Sequence, residues 1–188
     1  MSAPYRILGI AGSLRAGSFN RALLVHARNN APASLAIDIH DLAGVPLFDQ
    51  DVEAKGYPEA VARLQAAVGA ADGVLIATPE YNSGIPGVLK NALDWMSRPP
   101  GKATCAGKPV AVMGTSPGMG GTLRVQVAMR PVLSGMGMLQ AVGADTAVPG
   151  AGQAFDADGN LVDEKARAAV ARTLEALAAW IARLRPNG

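Results

Sequence analysis

The chain has 188 residues, of which 49% are hydrophobic and only 17% charged, and its formal net charge is +2. A chain of this length buries roughly 70% of the surface that its unfolded form exposes, so we expect a single domain over residues 1–188. The composition excludes a disordered protein. The near-neutral charge, without any run of Lys and Arg, does not favour nucleic-acid binding.

The cysteine and histidine content limits the available chemistry. Cys105 is the single cysteine, so an internal disulfide cannot form, and with His26 and His40 alone beside it there is no zinc-ligand set. No apolar run approaches the roughly 20 residues that span a bilayer, and the N-terminal residues lack a signal-peptide pattern. We expect a cytoplasmic protein with neither a metal nor a membrane partner.

Hydrophobic periodicity predicts strands that alternate with helices. In chain order these are strand 5–11, helix 18–30, strand 35–41, a helix from residue 58, strand 73–77, helix 88–96, strand 108–115, helix 121–133, strand 138–142 and helix 170–184. The segments 43–56 and 149–160 contain Gly and Pro and are predicted to be irregular loops. Five β-α units predict a doubly wound parallel sheet with right-handed crossovers.

The first strand ends at a loop, residues 12–20, that reads GSLRAGSFN and leads into the first helix. Free N–H groups and the helix dipole attract an anion at such a terminus. Ser13, Ser18 and Asn20 add neutral donors, and Arg15 adds a guanidinium suited to phosphate. The loop is neither a P-loop nor a Gly-x-Gly-x-x-Gly dinucleotide site. For this loop alone, a Ser-capped helix with an incidental arginine is nearly as well supported as a phosphate site.

The third strand runs into the most informative segment, residues 78–95, which reads TPEYNSGIPGVLKNALDW. Glu80, Tyr81 and Asn82 place an acid, a phenol and an amide at the carboxyl end of a strand, where open α/β sheets bind ligands. Gly84 lets the backbone approach such a ligand. Two alternatives stay open: Glu80 can instead cap a backbone group or pair across an interface, and the Tyr81 ring can simply pack at the loop edge.

The fourth strand leads into a third loop, SPGMGG at residues 116–121, which again ends at a helix. By itself this loop is typical of a flexible turn. Because it follows a strand of the same predicted sheet as the other two loops, the three together favour a ligand site at the carboxyl ends of the strands.

The three segments GSLRAGSFN, TPEYNSGIPGVLKNALDW and TSPGMGG resemble the NADPH-dependent FMN reductase family, a flavodoxin-like group that includes quinone, chromate and azo-compound reductases. The resemblance covers most of the chain, residues 5–142. It implies a flavodoxin-like five-stranded sheet of order 2-1-3-4-5 with helices on both faces and a crevice between strands one and three. It also implies FMN as cofactor and NADPH or NADH as co-substrate.

The resemblance further implies cofactor-binding residues in all three loops. Those around the FMN phosphate would be Ser13, Arg15, Ser18 and Asn20, and Phe19 of the same loop would also bind the cofactor. Those bordering the isoalloxazine would be Pro79, Glu80, Tyr81, Asn82 and Gly84, with Ser116, Gly118, Gly120 and Gly121 along its other edge. No side chain is assigned a catalytic role, because the flavin carries the chemistry.

The function implied is hydride transfer from a reduced nicotinamide to the flavin, and from there to a small acceptor such as a quinone, flavin, azo compound or metal oxyanion, by a ping-pong mechanism. A flavodoxin-type electron carrier without NAD(P)H turnover is the alternative. The near-neutral charge speaks weakly against it, since carriers commonly dock through a charged face. A colourless nucleotide-binding or interaction domain is a third hypothesis, which an absorption spectrum would test.

The helix after the second motif is apolar around more than one face, with Val88, Leu89, Leu93, Trp95 and Met96. A partner subunit would cover the second apolar face. We therefore expect a homodimer or homotetramer, and the resemblance implies that residues 45–49 reach the neighbouring subunit.

Overall fold

A parallel sheet forms the centre of the protein in the computed structural model, which describes residues 3–185. Its strands are β1 (Tyr5–Ala11), β2 (Leu35–His40), β3 (Gly73–Ala77), β4 (Pro109–Thr115), β5 (Leu139–Gln140) and β6 (Thr146–Val148). Their order is β2-β1-β3-β4-β5, with β6 also paired to β4. The predicted flavodoxin-like order is confirmed.

The far edge of the sheet differs from the prediction. The expected fifth strand, 138–142, is reduced to the two residues of β5, which pair with Pro109 and Val110 at the start of β4. The chain then passes through Gly143, whose φ is 74°, and continues in the same direction as β6, parallel to Met113–Thr115. Three residues are too few for a periodic signal, so the sequence did not predict β6.

The helices are α1 (Phe19–Asn29), α2 (Gln50–Glu53), α3 (Glu59–Ala70), α4 (Gly87–Met96), α5 (Leu123–Gly135), α6 (Ala151–Ala154) and α7 (Glu164–Leu184). The prediction of wholly irregular segments at 43–56 and 149–160 was wrong, because α2 and α6 each form one turn there. Asp49 caps α2 by accepting a hydrogen bond from the backbone N–H of Asp51 at 2.8 Å.

None of the helices within residues 3–185 is long and apolar enough to cross a membrane.

Two hydrophobic layers cover the faces of the sheet. Successive residues of a strand point to opposite faces, so Ile7 packs with α1 and α7 whereas Leu8 packs with α3, α4 and α5. This arrangement places the N-termini of α1 and α5 on opposite sides of the carboxyl edge of the sheet.

The apolar residues of α4 are covered within the chain. Leu89, Leu93, Trp95 and Met96 are all fully buried. Trp95 lies under the segment before α3, where the Phe48 ring meets it edge-on at a centroid distance of 4.9 Å. A partner subunit is therefore not needed to explain the composition of this helix.

Candidate functional site

The carboxyl ends of β1, β3 and β4 meet at one small crevice of about 110 Å³. All three predicted loops line it, through Ser13, Arg15, Ser18, Phe19 and Asn20, then Pro79, Glu80 and Tyr81, then Thr115, Ser116 and Pro117. The other predicted residues belong to the same loops but do not line the crevice: Asn82, Gly84, Gly118, Gly120 and Gly121.

A larger cavity, of about 670 Å³, lies between α1 and α7. It contains none of the predicted site residues. Its polar lining includes His26, Glu164 and Arg167, and the pKa of His26 is lowered by burial and then by the charge of Arg167. We place the candidate site in the smaller crevice, because it lies at the strand-order switch between β1 and β3, where open α/β sheets bind their ligands.

Loop one presents hydrogen-bond donors at the start of α1. Ser18 is the N-cap, and its hydroxyl oxygen accepts from the N–H of Arg21 at 3.3 Å, which leaves the hydroxyl hydrogen free to donate. Ser13 accepts from the N–H of Arg15 at 3.4 Å in the same way. The first turn of α1 has no acidic residue, so the helix dipole is not offset and an anion is favoured here.

Asn20 has a structural partner that the sequence did not reveal. Its side-chain amide donates to the carbonyl of Thr115 at 2.9 Å, and its side-chain oxygen accepts from the N–H of Thr115, also at 2.9 Å. The side chain therefore joins α1 to the end of β4. Of its donor capacity, one amide hydrogen remains for a ligand.

Phe19, also predicted to bind the cofactor, packs against a residue far along the chain. Its ring contacts that of Phe155 at a centroid distance of 5.3 Å. The contact fixes the start of α1 against the segment that follows α6.

Loop two forms a tight hairpin at its tip. The N–H of Gly84 donates to the carbonyl of Tyr81 at 2.9 Å and the reverse bond measures 3.3 Å. Asn82 and Ser83 have φ values of 50° and 62°, as a type I′ turn requires. Left-handed backbone is costly for a non-glycine residue such as Ser83, and such strain clusters at functional sites. Tyr81 remains about half exposed.

The Glu80 carboxylate turns towards α5, as the capping alternative predicted. It accepts from the backbone N–H groups of Arg124 and Val125 at 3.1 Å each, and from Nε of Arg124 at 2.5 Å. Burial raises the pKa of this carboxyl, but the hydrogen bonds from Arg124 and Val125 outweigh burial, so its pKa lies below the usual value. Glu80 therefore stays charged and joins loop two to the start of α5.

Loop three is closed by its own hydrogen bonds. The hydroxyl of Ser116 donates to the carbonyl of Gly121 at 2.6 Å, and the carbonyl of Ser116 accepts from the N–H of Ala151 at 3.0 Å. The positions that a Cβ would take at Gly120 and Gly118 are open or nearly so. Open space therefore lies beside Gly118 and Gly120.

Sequence reasoning missed Thr115, the last residue of β4. It is buried and lines the crevice, yet its hydroxyl has no hydrogen-bond partner among residues 3–185. Buried polar groups are normally paired, so this hydroxyl has capacity for a ligand. A polar residue at the carboxyl end of a buried strand was the signal that could have identified it.

Two residues, Cys105 and Asp41, lie away from the crevice. The thiol of Cys105 is buried and donates to the carbonyl of Met96 at 3.2 Å, and burial raises its pKa. Asp41 accepts from the N–H of Ala43 in a turn. In the described part of the chain, no group of three or more His, Cys, Asp or Glu side chains could hold a metal ion.

Comparison with known proteins gives the same family as the three sequence motifs. Residues 5–153 match the family described as NADPH-dependent FMN reductase. An NAD(P)H-dependent FMN reductase of Pseudomonas aeruginosa is 44% identical over 185 residues, which cover 98% of this chain and 100% of that protein. A 2-hydroxy-1,4-benzoquinone reductase of Burkholderia sp is 38% identical over 176 residues, covering 94% and 96%.

A solved structure agrees as well. FerB, a flavoenzyme NAD(P)H:(acceptor) oxidoreductase of Paracoccus denitrificans, superposes with a TM-score of 0.86 at 33% identity, over 95% of this chain and 98% of that one. The resemblance drawn from the sequence motifs is confirmed, and with it the enzyme class and the family's dependence on FMN and NAD(P)H. The chain belongs to the NADPH-dependent FMN reductase family of oxidoreductases.

Proposed function

We propose that this protein is an FMN-dependent oxidoreductase that takes electrons from NADPH or NADH and delivers them to a small acceptor. The observation that carries the proposal is the meeting of three ligand-type loops at one crevice on the carboxyl edge of the sheet. Quinones are the favoured acceptor class, because relatives from Burkholderia and Pseudomonas putida are named as quinone reductases.

The residues present fit the phosphate-bearing end of FMN. The crevice of about 110 Å³ is smaller than the roughly 300–1,000 Å³ of a pocket that encloses a whole ligand, so it suits one end of the cofactor. We assign Ser13, Arg15 and Ser18 to the phosphate, and the unpaired hydroxyl of Thr115 to the chain that follows it.

We also assign the flavin ring to the tip of loop two. There the hairpin from Tyr81 to Gly84 presents backbone edges, and the glycines of loop three leave room opposite. Bound FMN would supply hydride acceptance and donation. The chain would bind and orient it, with Asn82 and Gly84 shaping one edge and residues 116–121 the other.

An anaerobic stopped-flow titration of the holoprotein with NADPH and NADH tests this function. Rapid bleaching of the flavin absorbance is expected with at least one donor. A protein that binds FMN but is not bleached by either would instead be an electron carrier, and a protein that binds no flavin would be neither.

Replacing Arg15 by Ala should weaken FMN binding by about 1.5–3 kcal/mol, the usual value of a hydrogen bond to a charged group. Riboflavin, which lacks the phosphate, should bind poorly to both proteins and lose little more in the variant. Fluorescence titration of the apoprotein measures both affinities. Arg28→Ala, an exposed arginine at the other end of α1, is the matched control. A loss below about 0.5 kcal/mol, the scatter of ordinary surface substitutions, would place Arg15 in solvent.

Donor and acceptor should compete for the same face of the flavin ring, because both must approach the ring in its proposed place between Tyr81 and loop three. Steady-state kinetics should then give parallel double-reciprocal lines, the pattern of a ping-pong mechanism. Gly120→Val should fold, since no atom of residues 3–185 lies within 4 Å of a Cβ there, and should lower kcat/KM for donor and acceptor together. Intersecting lines, with FMN content unchanged, would indicate two separate sites.

We also propose that the protein assembles as a homodimer or homotetramer with Leu47 in the subunit interface. This side chain is 82% exposed although both neighbouring residues are firmly held. The carbonyl of Pro46 accepts from Nδ2 of Asn91 at 2.8 Å, and the N–H of Phe48 donates to Oδ1 of the same Asn91 at 2.8 Å. We assign Leu47 to the subunit interface because it lies within residues 45–49, which the family resemblance implies reach the neighbouring subunit.

Light scattering at micromolar concentration should therefore give at least a dimer mass, and Leu47→Ser should shift the protein towards a monomer. Val142, which is equally exposed, provides the control: Val142→Ser should leave the mass unchanged. A monomer mass for the unaltered protein would contradict the assembly.

A further inference from the structure

Glu80 and Arg124 form an asymmetric pair at the carboxyl edge of the sheet. The Glu80 side chain is 5% exposed and that of Arg124 is 71% exposed. Glu80 uses one oxygen for Nε of Arg124 and the other for the N–H groups of Arg124 and Val125. Arg124 is thus held at its backbone and at Nε, while the outer end of its guanidinium is open to solvent.

The outer end of this guanidinium has unused donors. Within residues 3–185, neither η nitrogen of Arg124 makes a hydrogen bond. Cations nearby along α4 and α5 are committed to carboxylates: Lys90 to Asp94 at 2.6 Å, and Arg130 to Asp145. Arg124 therefore offers two NH2 groups that are free to donate, from a guanidinium held at Nε, and arginine binds phosphate through such paired donors.

Arg124 lies on the opposite face of the sheet from the loop assigned to the FMN phosphate, so we relate it to a different phosphate group. Arg15 and Ser18 adjoin α1 on one face of the sheet, whereas Arg124 begins α5 on the other. Its partner Glu80 lines the crevice directly before Tyr81. The guanidinium therefore stands at the rim between loops two and three, beside the proposed place of the ring.

We propose that Arg124 binds a phosphate group of the nicotinamide dinucleotide that reduces this protein, and that Glu80 is the positioning residue that holds it for that role. The inference rests on the proposed function. A dinucleotide carries its diphosphate one ribose away from the nicotinamide, so a donor stacked beside Tyr81 places phosphate at the rim. The group bound is either the diphosphate, common to NADH and NADPH, or the 2′-phosphate of NADPH.

The test compares two variants, Arg124→Gln and Arg124→Lys, with the control variant Arg130→Gln. Arg130 is an exposed residue of the same helix. All variants are studied as FMN-loaded protein. Calorimetric titration with NADP⁺ and NAD⁺ measures binding without turnover. Reduction by N-benzyl-1,4-dihydronicotinamide, a donor that carries no phosphate, measures access to the flavin. Arg124→Lys keeps a charge beside the buried Glu80 but loses the planar fork, so it separates phosphate binding from folding.

For Arg124→Gln we expect about a 10- to 100-fold loss of dinucleotide affinity, the range for hydrogen bonds to a charged group. Arg124→Lys should show a smaller loss with the Tm of the wild type. Reduction by the phosphate-free donor should be unchanged, and Arg130→Gln should match the wild type throughout. Equal losses for NADP⁺ and NAD⁺ would assign the diphosphate, and a loss confined to NADP⁺ would assign the 2′-phosphate.

Two results would overturn the inference while leaving the proposed function intact. One is a dinucleotide affinity within twofold of the wild type in both Arg124 variants. The other is an equal loss of reduction by the phosphate-free donor, which would show that Arg124 acts on the fold or the flavin site. A wild-type holoprotein that no donor reduces is distinct from these, because it refutes the proposed function and the inference together.

Discussion

Gly114→Ala should destabilise the protein by about 3 kcal/mol or more, at the upper end for overpacking of a core. Gly114 lies in β4, and a Cβ there would sit 2.2 Å from the carbonyl oxygen of Thr78 and 2.4 Å from Oγ1 of Thr122. The first of these atoms belongs to the backbone where loop two begins, and Thr122 is the N-cap of α5. The Thr78 carbonyl can retreat only together with the backbone that leads into Pro79, and Pro79 lines the crevice.

Urea unfolding should show the stability loss of Gly114→Ala, and a flavin titration should show weaker FMN binding, because the backbone that leads into loop two is displaced. The matched control is Gly135→Ala, at the last residue of α5, where a Cβ meets no atom within 4 Å. That variant should be as stable as the wild type or gain about 0.4–1 kcal/mol. A Gly114 variant that unfolds within about 1 kcal/mol of the wild type, below the usual cost of overpacking, would refute the close packing described here.

Trp95→Ala should cost about 3–5 kcal/mol, as removal of a large buried aromatic side chain usually does. Trp95 is fully buried, and the rings of Phe48 and Tyr57 both meet it edge-on, at centroid distances of 4.9 Å and 6.2 Å. Its Nε1 also donates to the carbonyl of Pro46 at 2.9 Å. The substitution should therefore loosen residues 45–57 from α4 as well as weaken the core.

Trp95→Phe separates the ring from the hydrogen bond. The Pro46 carbonyl keeps its bond from Asn91, so no buried acceptor is left unpaired and the cost should be less than half that of Trp95→Ala. Urea unfolding gives both values, and proteolysis within residues 45–57 should accelerate in Trp95→Ala alone. Equal losses for the two variants would mean that the hydrogen bond, and not the ring packing, secures this segment.

Part of the site was predictable because its signals are local. β1 and β3 begin and end where the sequence placed them, since buried parallel strands read as uninterrupted apolar runs. The loops after them were recognisable for the same reason: a polar segment directly after such a run must lie at the carboxyl edge of the sheet. The roles of individual side chains in those loops were less accessible.

Composition, hydrophobic pattern and three motifs determined the flavodoxin-like sheet, its family and the edge at which its ligand site lies. Tertiary structure alone decided what the polar side chains do there. Asn20 bonds a peptide 95 residues away and Glu80 caps a helix 44 residues away, and residues 45–57 cover the α4 face for which the sequence predicted a partner subunit. A hydrogen bond or ring contact depends on the distance between segments that only the packed sheet brings together. Local sequence patterns do not give those distances.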